Sequence, residues 1–506
     1  MSEIGFPISL ILCYVYNQFL FFDSPPSSGL SKSYVVVKKE KIMCGIIGLF
    51  SKDDAVLLAI QMLEASQNRG QEAFGILTYG GKKGEHFHSY RHPGLVNVDS
   101  STVARLTGKV AIGHVRYGTN GGNHDYNIQP FLGKTKFGGI GIAHNGNLLN
   151  TDLIRERHLE EGSIYQSSSD TEAILHLITK SKKETFTECL VDALTQVKGA
   201  YSLVILRDNG HIIGVRDPRG FHPLSLGKKD GCYMLASETC VWNEIGAEFV
   251  REIEAGEMID ISEFGFVRSF PFPKKSCAHC IFEQPYFSHP TSCVDGLLVS
   301  ASRYRSGKVL EKEASVEYKL SDGVSAEDIY LVSPVPDSAI GAAEGFAKQT
   351  GCLRSKRGII KSRSHAFKGR TFIEPTEEER ELAVRRKYCV DSGIVNGQKV
   401  ILIDDSIVRG TTMRILVQMV REAGALEVHL RIAFPPFKYR CLYGIDTPTD
   451  EELIAGKMSI EEMCKFFNAD SLAFISLDGL RHALGEDVPL EQSRFCTACA
   501  SRIYPE

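Results

Sequence analysis

Val400-Ile401-Leu402-Ile403-Asp404-Asp405-Ser406-Ile407-Val408-Arg409-Gly410-Thr411-Thr412 is the stretch that settles the fold of the second half of the chain. An apolar run ends in two carboxylates. A loop with one glycine and two threonines then enters an amphipathic helix predicted over Met413 to Ala423. A short apolar run bounded by turn residues reads as a buried strand of a parallel sheet. Ligands of open α/β sheets bind beyond the carboxyl ends of the strands. Backbone N–H groups and hydroxyls at a helix N-terminus hold phosphate, and paired aspartates hold Mg²⁺ or sugar hydroxyls. Upstream, Val332-Ser333-Pro334-Val335-Pro336-Asp337-Ser338 reads as the end of a second apolar strand.

Towards the N-terminus the pattern changes. Cys44-Gly45-Ile46-Ile47-Gly48-Leu49-Phe50 is an apolar run with glycines at tight positions, again a buried strand. A nucleophilic thiol needs a base. With Met43 removed, the α-amine of Cys44 serves, since such an amine titrates at about 7.7–8.0. Asn68-Arg69-Gly70-Gln71-Glu72 follows a helical stretch from Ala55 to Ala65. His114-Val115-Arg116-Tyr117 ends an apolar run, and His144-Asn145-Gly146-Asn147 offers an amide and a flexible N–H. Acyl transfer develops an oxyanion that wants preorganised donors. An amino-acid substrate wants a cation for its carboxylate and an anion for its ammonium. Arg116 and Asp170 are suited to those tasks.

Length and composition bound the rest. The 506 residues are 43% hydrophobic and 24% charged, which suits two to four globular domains. A net charge of −4 gives no case for nucleic-acid binding. Fourteen cysteines without regular spacing do not make a secreted disulfide scaffold, so reduced, cytoplasmic thiols are expected. Cys277-Ala278-His279-Cys280 and Cys496-Thr497-Ala498-Cys499 have the spacing of a four-thiolate zinc site. Residues 1–43 read as a leader, a propeptide or a misassigned start. Gly5 to Phe22 is apolar but lacks the basic start of a signal peptide and the unbroken apolarity of a membrane span.

The set Cys44-Gly45-Ile46-Ile47-Gly48, Arg69-Gly70-Gln71-Glu72, His114-Val115-Arg116-Tyr117, His144-Asn145-Gly146-Asn147 and Ser169-Asp170-Thr171-Glu172 resembles the glutaminase domain of the class II glutamine amidotransferases. The resemblance implies an N-terminal-nucleophile αββα fold over 44–275. It implies Cys44 as nucleophile, Asn145 and Gly146 as oxyanion hole, and Arg69, Arg116 and Asp170 as glutamine-binding groups. The 400–412 stretch resembles the type I phosphoribosyltransferases, which implies a parallel-sheet domain over 276–475. Their substrate is 5-phosphoribosyl 1-diphosphate with Mg²⁺. The resemblance implies Ser338, Asp404 and Asp405 near the metal, and Asp404, Asp405, Ser406, Arg409, Gly410, Thr411 and Thr412 on ribose and phosphate. Arg370 falls in the flexible loop.

The order of the two domains is similar to the iron–sulfur, Bacillus-like branch of a family that joins them and opens purine synthesis. That resemblance implies ammonia made from glutamine and placed on the ribose, giving 5-phosphoribosylamine. It also implies purine-nucleotide inhibitors, a homotetramer, no membrane partner, and a [4Fe–4S] cluster on Cys280, Cys441, Cys496 and Cys499, the last two in a C-terminal segment 476–506. Departures from the family pattern stand at Asn68, His222, His289, His365, Glu374 and Glu377. They leave open an amidotransferase for another sugar phosphate, or a non-catalytic nucleotide or phosphoribosyl sensor.

Overall fold

Cys44–Phe50 forms β1, and its alternation assigns its two faces. Ile47 and Leu49 pack with the helix Val56–Ala65, while Ile46 faces the opposite way. A Cβ on Gly48 would stand 2.6 Å from Val204 Cγ1, so a glycine is needed for a second sheet to approach. The computed structural model describes residues 44–80, 86–117, 125–317, 325–351, 353–362, 377–445, 447 and 449–505. Residues 1–43, Arg370, His365 and Glu374 lie outside them.

The first sheet is antiparallel and seven-stranded. Its order is β11 (Glu248–Glu252), β9 (Ser225–Lys229), β10 (Cys232–Ala236), β1, β4 (Val110–Arg116), β2 (Ala73–Tyr79) and β3 (Phe87–Pro93). The second has six strands in the order β13 (Gly265–Ser269), β12 (Met258–Ser262), β8 (Ile212–Arg216), β7 (Gly199–Arg207), β6 (Gly138–Leu148) and β5 (Phe131–Thr135). Ile46, Leu77, Ile112, Val204 and Leu206 fill the space between the sheets. The helix Val56–Ala65 covers the outer face of the first sheet, and the helices Asp170–Lys180 and Phe186–Gln196 cover that of the second. The result is the expected αββα stack.

The second half is built on four parallel strands in the order Tyr330–Pro334, Lys399–Asp404, Glu427–Ile432 and Ser471–Phe474. Val332, Ile401 and Ile403 pack on one face with the helix Ile340–Thr350. Leu331, Val400 and Leu402 pack on the other with the helix Thr411–Glu422. Burial on both faces is why the strand is apolar at every position. That helix starts two residues before the predicted Met413, because Gly410 takes a left-handed φ of +81° and turns the chain directly into it. No helix among the described residues is long and apolar enough to cross a membrane.

Candidate active site

The first strand brings Cys44 opposite Arg116, the last residue of β4. The Cys44 backbone nitrogen crosses to the other sheet and donates to Asn145 Oδ1 at 3.2 Å. That bond orients the Asn145 amide. Its Nδ2 is buried and has no partner among the described residues. A buried donor without an acceptor is costly, and it is what an oxyanion hole holds ready. Gly146 follows with a φ of +153°, and a Cβ there would meet the Ala200 carbonyl oxygen at 2.1 Å. Asp170 begins its helix and accepts from the Leu148 N–H at 3.0 Å, two residues beyond Gly146. Burial pushes its carboxyl up, but His144, 3.4 Å away, and the Leu148 and Thr171 hydrogen bonds outweigh it and hold the carboxyl low.

Arg69, expected among the glutamine-binding groups, has protein partners on every side of its guanidinium. It is fully buried, and its Nε donates to the Cys44 carbonyl at 2.9 Å. Its two amino groups hold Glu238 at 2.7 Å and Glu283 at 2.8 Å. An arginine enclosed in this way fixes the Cys44 end of β1. Glu238 also accepts from Asn68 Nδ2 at 2.9 Å and the His289 N–H at 2.7 Å, so two of the departing residues bind the same carboxylate. Gly70 lets the turn reach β4, where a Cβ would stand 2.5 Å from the Arg116 carbonyl carbon. Sequence reasoning missed Glu238, Glu283 and Arg303. Glu238 and Glu283 meet Arg69 across 169 and 214 residues, and no local spacing marks any of the three.

Beyond the strand Lys399–Asp404 lies a cavity of about 710 Å³. Ser338, Asp404, Asp405, Ser406, Arg409, Gly410, Thr411 and Thr412 all line it. Asn68, Gln71 and Tyr117 from the first half line the same cavity. Ser338 and Ser406 donate to Asp405, the latter at 2.6 Å. Burial pushes both aspartates up, and Asp405 adds to the effect on Asp404. Arg303 enters the wall and fixes the segment 284–288 by donating to the Gln284 carbonyl at 2.9 Å and the Ser288 carbonyl at 2.7 Å. Two buried carboxylates beside an open cavity fit a divalent cation or sugar hydroxyls.

Cys280 pairs in parallel register with Cys496. Burial pushes the Cys280 thiol well up, with Glu283 and then Cys441, Cys496 and Cys499 adding to the effect. The Cys496 thiol is pushed up to about 12 by burial and Cys441. The set that acts on Cys280 therefore includes Cys441, the member the zinc-like spacing omits. Among the described residues no three His, Cys, Asp or Glu side chains are disposed to hold a metal ion. Cys280, Cys441, Cys496 and Cys499 thus lie within electrostatic range of one another, a set of thiols whose chemistry suits a thiolate-held metal group.

An αββα body with a cysteine heading its first strand, joined to a parallel sheet that ends in an acidic pair and a glycine turn, defines a glutamine amidotransferase fused to a phosphoribosyltransferase. Residues 117–242 match the glutamine amidotransferase domain model. The chain is 42% identical over 471 residues to amidophosphoribosyltransferase 1, chloroplastic, of Arabidopsis thaliana, covering 92% of this chain and 79% of that one. It is 39% identical to the amidophosphoribosyltransferase of Bacillus subtilis, covering 91% and 94%. The solved structure of the B. subtilis glutamine phosphoribosylpyrophosphate amidotransferase complexed with ADP and GMP superposes with a TM-score of 0.81, at 39% identity, over 91% of this chain and 97% of that one. The chain belongs to the amidophosphoribosyltransferase family.

Proposed function

We propose that the chain uses Cys44 to take ammonia from glutamine and delivers it through the shared cavity to C1 of 5-phosphoribosyl 1-diphosphate. The products are 5-phosphoribosylamine, glutamate and diphosphate, the first step of purine biosynthesis. The observation that carries this reading is one cavity lined both by Asn68, Gln71 and Tyr117 and by Asp404 to Thr412.

The Cys44 thiolate attacks the glutamine amide carbon, and its own α-amine, freed by loss of residues 1–43, takes and returns the proton. Asn145 Nδ2 and the Gly146 N–H receive the developing oxyanion. Arg116 and Asp170 hold the glutamine carboxylate and ammonium. Ammonia leaves, and water resolves the thioester to glutamate. In the second half (276–475, after a glutaminase half over 44–275) the 5-phosphate rests on Ser406 to Thr412 at the helix N-terminus. Asp404 and Asp405 bind the ribose. Ser338 and the same two aspartates would hold Mg²⁺, which neutralises diphosphate charge when bound. Cys280, Cys441, Cys496 and Cys499 (the last two within 476–506) would hold a structural [4Fe–4S] cluster. Purine nucleotides as inhibitors, a homotetramer and a cytoplasmic site complete the reading.

Cys44→Ala tests it. Glutamine-driven formation of phosphoribosylamine is expected to vanish while ammonia-driven formation continues. Glutamine use at the parent rate would remove Cys44 from the mechanism.

A further inference from the structure

The segment Leu442–Gly444 lies against the strand that carries Asn145 and Gly146. Asn147 Nδ2 donates to the Leu442 carbonyl at 2.7 Å, across 295 residues of chain. His222 Nε2 donates to the Tyr443 carbonyl at 2.7 Å. The Tyr443 ring stacks on Phe221 with centroids 4.2 Å apart. Gly444, at φ +120°, comes close enough that a Cβ would stand 3.2 Å from the Gly146 carbonyl carbon and Cα, and 3.0 Å from His222 Nε2. The backbone of Gly146 is thus pressed between the Ala200 carbonyl and Gly444.

A glycine has no side chain to anchor it and the widest backbone freedom. An oxyanion donor works only if it is fixed before charge develops. A misplacement of about 1 Å costs about a hundredfold in rate. The contact needed to fix Gly146 comes from the phosphoribosyltransferase half, and each clip has a counterpart in the glutaminase half. His222 is one of the residues at which this chain departs from its family's pattern, and the structure gives it a use.

We propose that Leu442–Gly444 is a positioning strap for the glutaminase oxyanion strand, held by Asn147 and His222. It acts on Gly146 through backbone packing and touches no reacting atom. The proposal rests on the reading of Gly146 as an oxyanion donor.

Gly444→Ala, His222→Leu and His222→Gln test it against the parent. Three rates are compared: glutamine-driven synthesis, ammonia-driven synthesis, and alkylation of Cys44 by iodoacetamide, which needs no oxyanion donor. Gly444→Ala and His222→Leu are expected to lower glutamine-driven kcat by about ten- to a hundredfold. Ammonia-driven synthesis and alkylation should stay close to the parent's, and His222→Gln, which keeps an N–H donor, should recover most of the loss. The His222 pair carries the test where Gly444→Ala does not fold. Parallel loss of both synthetic rates, or an unchanged glutamine-driven kcat in His222→Leu, overturns the strap. A parent enzyme without any glutamine-driven rate overturns the glutaminase reading itself, and the strap with it.

Discussion

Arg69 holds one positive charge between two buried carboxylates while its Nε supports the Cys44 carbonyl. Breaking a buried pair from one side costs about 3–5 kcal/mol, because the remaining charge has no partner. Arg69→Met is therefore expected to destabilise the protein by that amount at neutral pH. The sign of its pH dependence follows from Glu283. Burial alone pushes this carboxyl up, and Arg69 and then His222 outweigh it and hold it low. A depressed carboxyl contributes stability above its unfolded value and loses it as pH falls. Without Arg69 only His222 opposes burial, so the carboxyl is less depressed and the parent loses more stability than the variant as pH falls through the carboxylate range. The gap in Tm between parent and Arg69→Met should thus narrow from about pH 5 to about pH 3 in thermal melts. A gap that widened on acidification would show that Arg69 is not the counter-charge of Glu283.

At the scale of the element, the turn at Gly410 joins strand to helix. A Cβ there would stand 2.8 Å from Ile454 Cδ1 and 3.0 Å from Phe467 Cε1, and φ is +81°. A side chain in that conformation costs about 1–2 kcal/mol. Gly410→Ala should raise the KM for 5-phosphoribosyl 1-diphosphate about tenfold, since about 1.4 kcal/mol is a factor of ten. Glutamine hydrolysis should change little. A KM equal to the parent's would argue against a phosphate on this turn.

Val400 to Asp404 was legible because burial on both faces of a parallel strand leaves an unbroken apolar run. The acidic pair and the glycine followed at fixed offsets. The two glutaminase sheets were legible mainly through motifs, since Ile46, Ile47 and Leu49 give no hint of which sheet each faces. The ion pairs of Arg69 were hidden for a physical reason: an arginine in a turn looks exposed until Glu238 and Glu283 arrive from 169 and 214 residues away. The Leu442–Gly444 contact was invisible for the same reason.

For the whole molecule, one apolar cluster contains Tyr117, Ala200 and Phe221 from the first half and Phe282, Phe434 and Phe495 from the second. Arg69 from the first half pairs with Glu283 of the second, and Arg303 holds the Ser288 carbonyl beside it. Halves that share a core lose it together. Scanning calorimetry should show a single unfolding transition, with glutamine- and ammonia-driven rates lost over the same range. Two separated transitions would mean that the halves stand independently.

The packing of Gly444 on Gly146 also sets a timetable. Translation proceeds at about 5–20 residues per second, so Gly444 follows Gly146 off the ribosome by roughly 15–60 s. Throughout that interval a nascent chain has nothing to place behind Gly146. The glutaminase half is made first, yet the strand carrying Asn145 and Gly146 gains its backing only when Gly444 has been made.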